Sequence, residues 1–133
     1  MARAFREAVF LALLAIVPAV GAGFFHRDLF RSSPDELPLA RAIAMRPPVL
    51  WIDARNANEF ADAHIPNAIL LNEDDWEELL PGVLQAWKPG QSAVVYCSSL
   101  QCNSSREVAR RLREIAPEPV YVLKGGWESW REK

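Results

Sequence analysis

The chain has 133 residues but only two cysteines and two histidines. A small fold stapled by disulfides carries more cysteine than this, so an apolar core has to supply the stability. Cys97 and Cys102, with the distant His26 and His64, also lack the paired, tightly spaced ligands of a structural zinc site, so no metal is expected. No basic stripe and no run of like charges is present: 15 Lys and Arg stand against 17 Asp and Glu, for a formal net charge of -2. A nucleic-acid partner is therefore not expected. Internal repeats and low-complexity stretches are missing as well, which excludes solenoids and flexible arrays.

Half of the residues are hydrophobic, enough for a real core in one domain with an appendage. The appendage comes first. Arg3 and Arg6 precede a stretch from Ala8 to Phe25 that holds no charged residue. Its length is at the lower limit for a membrane-spanning helix, and Pro18, Gly21 and Gly23 are tolerated in such helices. The rival reading is a signal peptide, with Val9 to Val17 as its apolar core and Ala19 and Gly21 at a cleavage site. An uncleaved anchor is favoured, because apolar character continues through Phe24 and Phe25. The expected division is an anchor and connector over residues 1–31 and a globular domain over residues 32–133. Contact with a membrane is expected through residues 8–25. Arginines flank both sides of this segment, so orientation is poorly marked. Either reading most simply carries the globular part to the extracytoplasmic side, tethered or, after cleavage, secreted.

Beyond the connector, Ser33-Pro34-Asp35-Glu36 reads as a helix start and predicts a helix to Met45. Val49 to Ile52 is an apolar run between prolines and Asp53, the pattern of a buried strand. Asn56 to Ala63 predicts a short helix with Phe60 inward, and Ala68 to Leu71 a second buried strand. Asp74 to Trp87 has helical apolar spacing interrupted at Pro81-Gly82. The acidic cluster of Glu73, Asp74, Asp75, Glu77 and Glu78 reads as a solvated first turn. Ala93 to Tyr96 is a third strand. Ser104 to Ile115 is a helix whose Ser104 and Glu107 fit capping-box spacing. Val120 to Leu123 is a fourth strand, and Gly125-Gly126 turns into a last short helix with Trp127 and Trp130. Apolar strands alternating with helices predict an α/β fold, a mainly parallel sheet flanked by helices on both faces, preceded by one N-terminal hydrophobic helix.

On that scaffold Cys97 lies at the carboxyl end of a buried strand, where open α/β sheets bind ligands. The loop Cys97-Ser98-Ser99-Leu100-Gln101-Cys102-Asn103 leads into the helix at Ser104. Backbone N–H groups curled round the sulfur, with the helix dipole, would lower its pKa and make a nucleophile. The bland reading is a small, inert buried cysteine.

Three motifs in order resemble rhodanese-like domains. The first is Leu50-Trp51-Ile52-Asp53-Ala54-Arg55, with Glu59-Phe60 and His64-Ile65-Pro66-Asn67-Ala68. The second is Val94-Val95-Tyr96-Cys97, and the third Val120-Tyr121-Val122-Leu123-Lys124-Gly125-Gly126-Trp127 with Trp130. Together they span about Pro34 to Arg131. The resemblance implies a sulfurtransferase: Cys97 takes a sulfane sulfur from a small donor, forms a persulfide, and passes the sulfur to a thiophilic acceptor such as a small or protein thiol. It implies no metal and no organic cofactor. It also implies that the loop from Ser98 through Ser99, Leu100, Gln101, Cys102 and Asn103 to Ser104 binds the substrate, with Asp53 and Arg55 as supporting framework.

Two departures qualify this. The common loop of that family is shorter, contains glycine, and has an arginine just before its helix. Here no glycine or basic residue lies between Cys97 and Ser105, Ser104 falls where the arginine would, and Arg106 is expected on the helix's outer face. An anionic donor such as thiosulfate then loses its cationic clamp, which favours a neutral persulfide or a protein partner. Related phosphatases have longer loops but keep that arginine, so phosphoryl transfer is disfavoured. The second departure is Cys102, five residues after Cys97. It is either a resolving thiol or a small residue filling the loop. A resolving thiol opens the alternative function: a redox-sensing or binding module in which the two cysteines cycle between dithiol and disulfide with little sulfur transfer. His64 is expected to brace a loop, Asp53 and Arg55 to pair or Arg55 to brace a loop, and Trp127 to pack or to line the pocket mouth.

Overall fold

The computed structural model describes residues 35–99 and 102–133. The expected anchor at residues 8–25 and the proposed caps Ser33 and Pro34 lie outside them. No described helix is long and apolar enough to cross a membrane.

Five strands form one parallel sheet in the order β1-β5-β4-β2-β3. They are β1 Glu36–Leu37, β2 Leu50–Asp53, β3 Ile69–Leu70, β4 Ala93–Tyr96 and β5 Val120–Leu123. The helices are α1 Leu39–Ala44, α2 Ala57–Asp62, α3 Trp76–Ala86, α4 Ser104–Ile115 and α5 Gly126–Arg131. Strand alternation sorts the core into two layers. Leu50, Ile52, Ala93, Val95, Val120 and Val122 face α3 and α4, which contribute Val83, Val108 and Leu112. Trp51, Val94, Tyr96, Tyr121 and Leu123 face the opposite layer, where Ala42, Phe60, Trp127 and Trp130 pack from α1, α2 and α5. The expected α/β architecture, with helices on both faces of a parallel sheet, is present.

Three local expectations are corrected. The segment read as helix from Ser33 begins instead with β1. Glu36 and Leu37 pair with Val122 and Leu123 of β5, and the N–H groups of Val122 and Lys124 donate to Asp35 and Leu37 carbonyls at 2.8 and 3.0 Å. Pairing with the open edge of β5 outweighs local helix signals, and the helix starts only after Pro38. Helix α3 runs through Pro81 rather than breaking there. Trp76, Leu79, Leu80 and Val83 hold it against the sheet, so packing outweighs one missing N–H donor. The Ser104–Glu107 capping box does not form: the N-cap is Asn103, without a side-chain cap bond, and Glu107 binds Arg110 and Arg111. Those two guanidiniums hold the Glu107 carboxyl down at about 2. A side-chain N-cap forms at α2 instead, where Asn56 Oδ1 accepts from the Glu59 N–H at 2.9 Å and Asn56 Nδ2 donates to Glu59 Oε2 at 2.7 Å.

Candidate active site

Strands β2 and β4 are neighbours in register, with Asp53 opposite Tyr96. The last ladder bond runs from the Ala54 N–H to the Tyr96 carbonyl at 2.9 Å. The chain therefore leaves the sheet side by side at Ala54 and Cys97. Cys97 is 4% exposed, and its sulfur is bonded to that of Cys102. The two Cα atoms are 6.1 Å apart, an ordinary span for a disulfide. The loop thus places both sulfurs at one point.

Helix α5 stitches this loop down. The Trp127 N–H donates to the Cys97 carbonyl at 2.7 Å and the Glu128 N–H to the Ser98 carbonyl at 3.2 Å. Gly126, at φ 57°, approaches so closely that a Cβ there would collide with the Cys97 carbonyl. That is the physical reason for glycine at this position, a constraint the tight-turn expectation did not include. Inside the loop the Cys102 N–H donates to the Ser99 carbonyl at 3.3 Å. Leu100 and Gln101, expected to help bind substrate, lie outside the described residues. Asn103 caps α4, and Ser104 lines the cleft beside the two cysteines.

Asp53 and Arg55 pair as expected. Arg55 Nη2 donates to Asp53 Oδ2 at 2.6 Å and Nε to Oδ1 at 3.0 Å, and both side chains are buried. Arg55 Nη2 also donates to the Ala63 carbonyl at 2.7 Å. Its guanidinium carbon lies 4.8 Å from the centre of the Trp127 ring and 5.6 Å from that of Tyr96. Burial opposes the Arg55 charge, but the hydrogen bonds and field of Asp53 more than restore it, so its pKa is raised. Burial beside Asp53 likewise pushes the Tyr96 phenol up, although its oxygen accepts the Ile65 N–H at 3.1 Å.

Above the sulfurs is a cleft of ≈ 340 Å³, lined by Arg55, Glu59, Glu73, Asp74, Cys97 and Cys102 among others. Glu59 Oε1 accepts from Ser98 Oγ at 3.1 Å, which ties α2 to the loop. Of the acidic cluster, Glu77 and Glu78 lie exposed in the first turn of α3 as expected, while Glu73 and Asp74, also exposed, precede the helix and line the cleft. Arg106 does not reach the cleft: it pairs with Glu36 at 2.7 Å and bonds Asn103 Oδ1 at 3.3 Å. The site therefore presents two sulfurs among three carboxylates, and its one arginine is already held by Asp53. Sequence reasoning missed Glu59, Glu73 and Asp74 as site residues; for Glu59 the available signal was its place in the first motif. Trp127 lines a second cleft of ≈ 310 Å³ that shares Arg55, Glu59 and Ser98 with the first. His64 braces its turn through Nδ1 and the Phe60 carbonyl at 2.7 Å and stacks on the Phe60 ring.

The rhodanese-like domain model matches residues 37–133. A relative named thiosulfate sulfurtransferase GlpE, from Tolumonas auensis, is 35% identical over 92 residues, covering 69% of this chain and 81% of the relative. A solved protein from Bacillus halodurans shares the fold at a TM-score of 0.62, with 22% identity over 86% of this chain and 81% of its own. A rhodanese-like domain protein from Staphylococcus aureus superposes at a TM-score of 0.55, with 24% identity over 72% of this chain and 90% of its own. Family model, curated relative and sheet topology agree with the three sequence motifs, and the chain belongs to the rhodanese-like domain family.

Proposed function

We propose that this domain is a sulfurtransferase in which Cys97 carries the sulfur. The observation that supports it most is the position of Cys97: on the floor of the cleft, at the carboxyl end of β4, in a chain whose Tolumonas relative is named a thiosulfate sulfurtransferase. The Cys97–Cys102 bond is the oxidised form, and a dithiol must open it first. The Cys97 thiolate then attacks the sulfane sulfur of the donor, the donor's sulfur–sulfur bond breaks, and the remainder leaves with the electron pair. Cys97 is left as a persulfide, and an acceptor thiol takes the outer sulfur.

The charges of the cleft bear on the donor. Thiosulfate would bring two negative charges to Glu59, Glu73 and Asp74, where like charges about 4 Å apart repel by roughly 1 kcal/mol in bulk water and roughly 4 kcal/mol near a protein surface. Arg55 lines the same cleft, but its charge is largely offset by Asp53. A persulfide without net negative charge fits better. Cysteamine persulfide is therefore expected to exceed thiosulfate in kcat/KM by at least about tenfold, and Asp74→Asn to raise the thiosulfate value a few-fold at low salt only. If neither donor loads sulfur onto Cys97, the reading fails. The Cys97–Cys102 bond itself favours a second reading, a dithiol–disulfide module with little sulfur transfer. That reading requires Cys102→Ser to take up no sulfur.

We further propose that residues 8–25 tether the domain to a membrane with the site on the extracytoplasmic side, where disulfides persist. Alkaline extraction of membranes should leave the whole chain in the pellet. A shortened chain in the supernatant would show signal cleavage and secretion.

A further inference from the structure

Cys102 is the second sulfur of the cleft, unused by the transfer step, and it is bonded to Cys97. Its N–H bond to Ser99 holds the loop folded back toward the strand end. Cys97 is nearly closed to solvent, so an external thiol has to enter the acidic cleft to reach it, whereas Cys102 is already there. From this juxtaposition we propose that Cys102 ends the sulfur cycle by releasing the sulfur as sulfide, so that the domain works as a persulfide reductase. The proposal rests on the Cys97 persulfide.

Cys102 loses its proton to solvent, and its thiolate attacks the inner sulfur of the Cys97 hydropersulfide. The Cys97–Cys102 bond forms, the bond between inner and outer sulfur breaks, and the outer sulfur leaves as HS⁻ with the electron pair. The sulfane sulfur is reduced by two electrons and the two cysteines are oxidised to the disulfide. A dithiol reductant, small or protein-borne, then restores both thiols.

The surroundings suit this step. HS⁻ is a fair leaving group, but the doubly charged ion that an ionised persulfide would expel is a poor one. The charged rim of the cleft is Glu59, Glu73, Asp74 and the Asp53-paired Arg55, so it offers little to hold a persulfide anion, and the step runs through the protonated form. An arginine in the loop would do the reverse. The missing arginine and the additional cysteine thus serve one chemical outcome.

The test uses the whole chain in mild detergent, reduced, freed of reductant, and mixed with one equivalent of cysteamine persulfide. Sulfide and intact mass are followed for wild type, Cys102→Ser and Cys102→Ala. Wild type should release one sulfide per chain and end two hydrogens lighter. Both variants should hold one added sulfur and release sulfide at least about a hundredfold more slowly, the advantage lost with an intramolecular nucleophile. Wild type that keeps the added sulfur, or variants that release sulfide as fast as wild type, would overturn the proposal while leaving the Cys97 persulfide intact. If no form gains sulfur or releases sulfide, the persulfide reading itself fails, and this proposal with it.

Discussion

The carboxyl ends of β2 and β4 lie side by side, and the chain uses them in opposite ways. At the end of β2, Asp53 and Arg55 satisfy each other, and Arg55 also meets the Ala63 carbonyl and two aromatic faces. That charge is closed off and does structural work. At the end of β4, Cys97 shares its cleft with Arg55, but that guanidinium is paired with Asp53, and the rest of the charged rim among the described residues is Glu59, Glu73 and Asp74. A charge-neutral pair therefore stands beside the proposed sulfur carrier. The contrast teaches that an arginine near a catalytic cysteine is not automatically its substrate ligand: what matters is whether the guanidinium still has free donors.

Substitutions at each strand end can break or sharpen this contrast. Cys97→Ser should lower sulfur transfer by a thousandfold or more, on the order expected for loss of a nucleophile, while its melting curve stays close to that of the reduced wild type. Asp53→Ala should do the reverse kind of damage, lowering stability by about 3–5 kcal/mol in urea unfolding because it strands the buried Arg55 charge. Replacing both partners, with Asp53→Leu and Arg55→Met, should recover most of that loss; if it does not, the pair contributes more than mutual neutralisation. Gly126→Ala joins the two regions. The clash with the Cys97 carbonyl and the positive φ should cost about 2–3 kcal/mol and slow sulfur loading, read from one preparation by denaturation and by mass.

The smallest effect is expected at Tyr96. Tyr96→Phe removes the acceptor of the Ile65 N–H and should cost about 1 kcal/mol at neutral pH. Because burial raises the phenol's pKa, the folded state favours the protonated form. That stabilisation is complete below the ordinary value of 10.0 and is lost as pH rises above it. The alkaline decline in stability should therefore be shallower in Tyr96→Phe than in wild type.

Much of this was legible in the sequence. β4, β5 and α4 have the bounds their apolar patterns predict, because each is buried along one continuous stripe. Cys97 at a strand end and the Asp53–Arg55 pair were also readable, since both depend on residues a few positions apart. What could not be read depends on partners far along the chain. β1 exists because β5 has an open edge, a fact absent from the local composition of Asp35 to Leu37. Glu59, Glu73 and Asp74 converge only once β2, β3 and β4 are aligned. Gly126 owes its necessity to a carbonyl 29 residues earlier in the chain.

The central claim, that Cys97 carries a persulfide, is tested most directly by rapid quenching. The reduced whole chain and its Cys97→Ser form would be mixed with cysteamine persulfide, trapped within seconds by an alkylating reagent, and digested for peptide masses. The account predicts one extra sulfur on the peptide containing Cys97 at early times and none anywhere in Cys97→Ser. Added sulfur on Cys102 instead, or equal loading in Cys97→Ser, would contradict it.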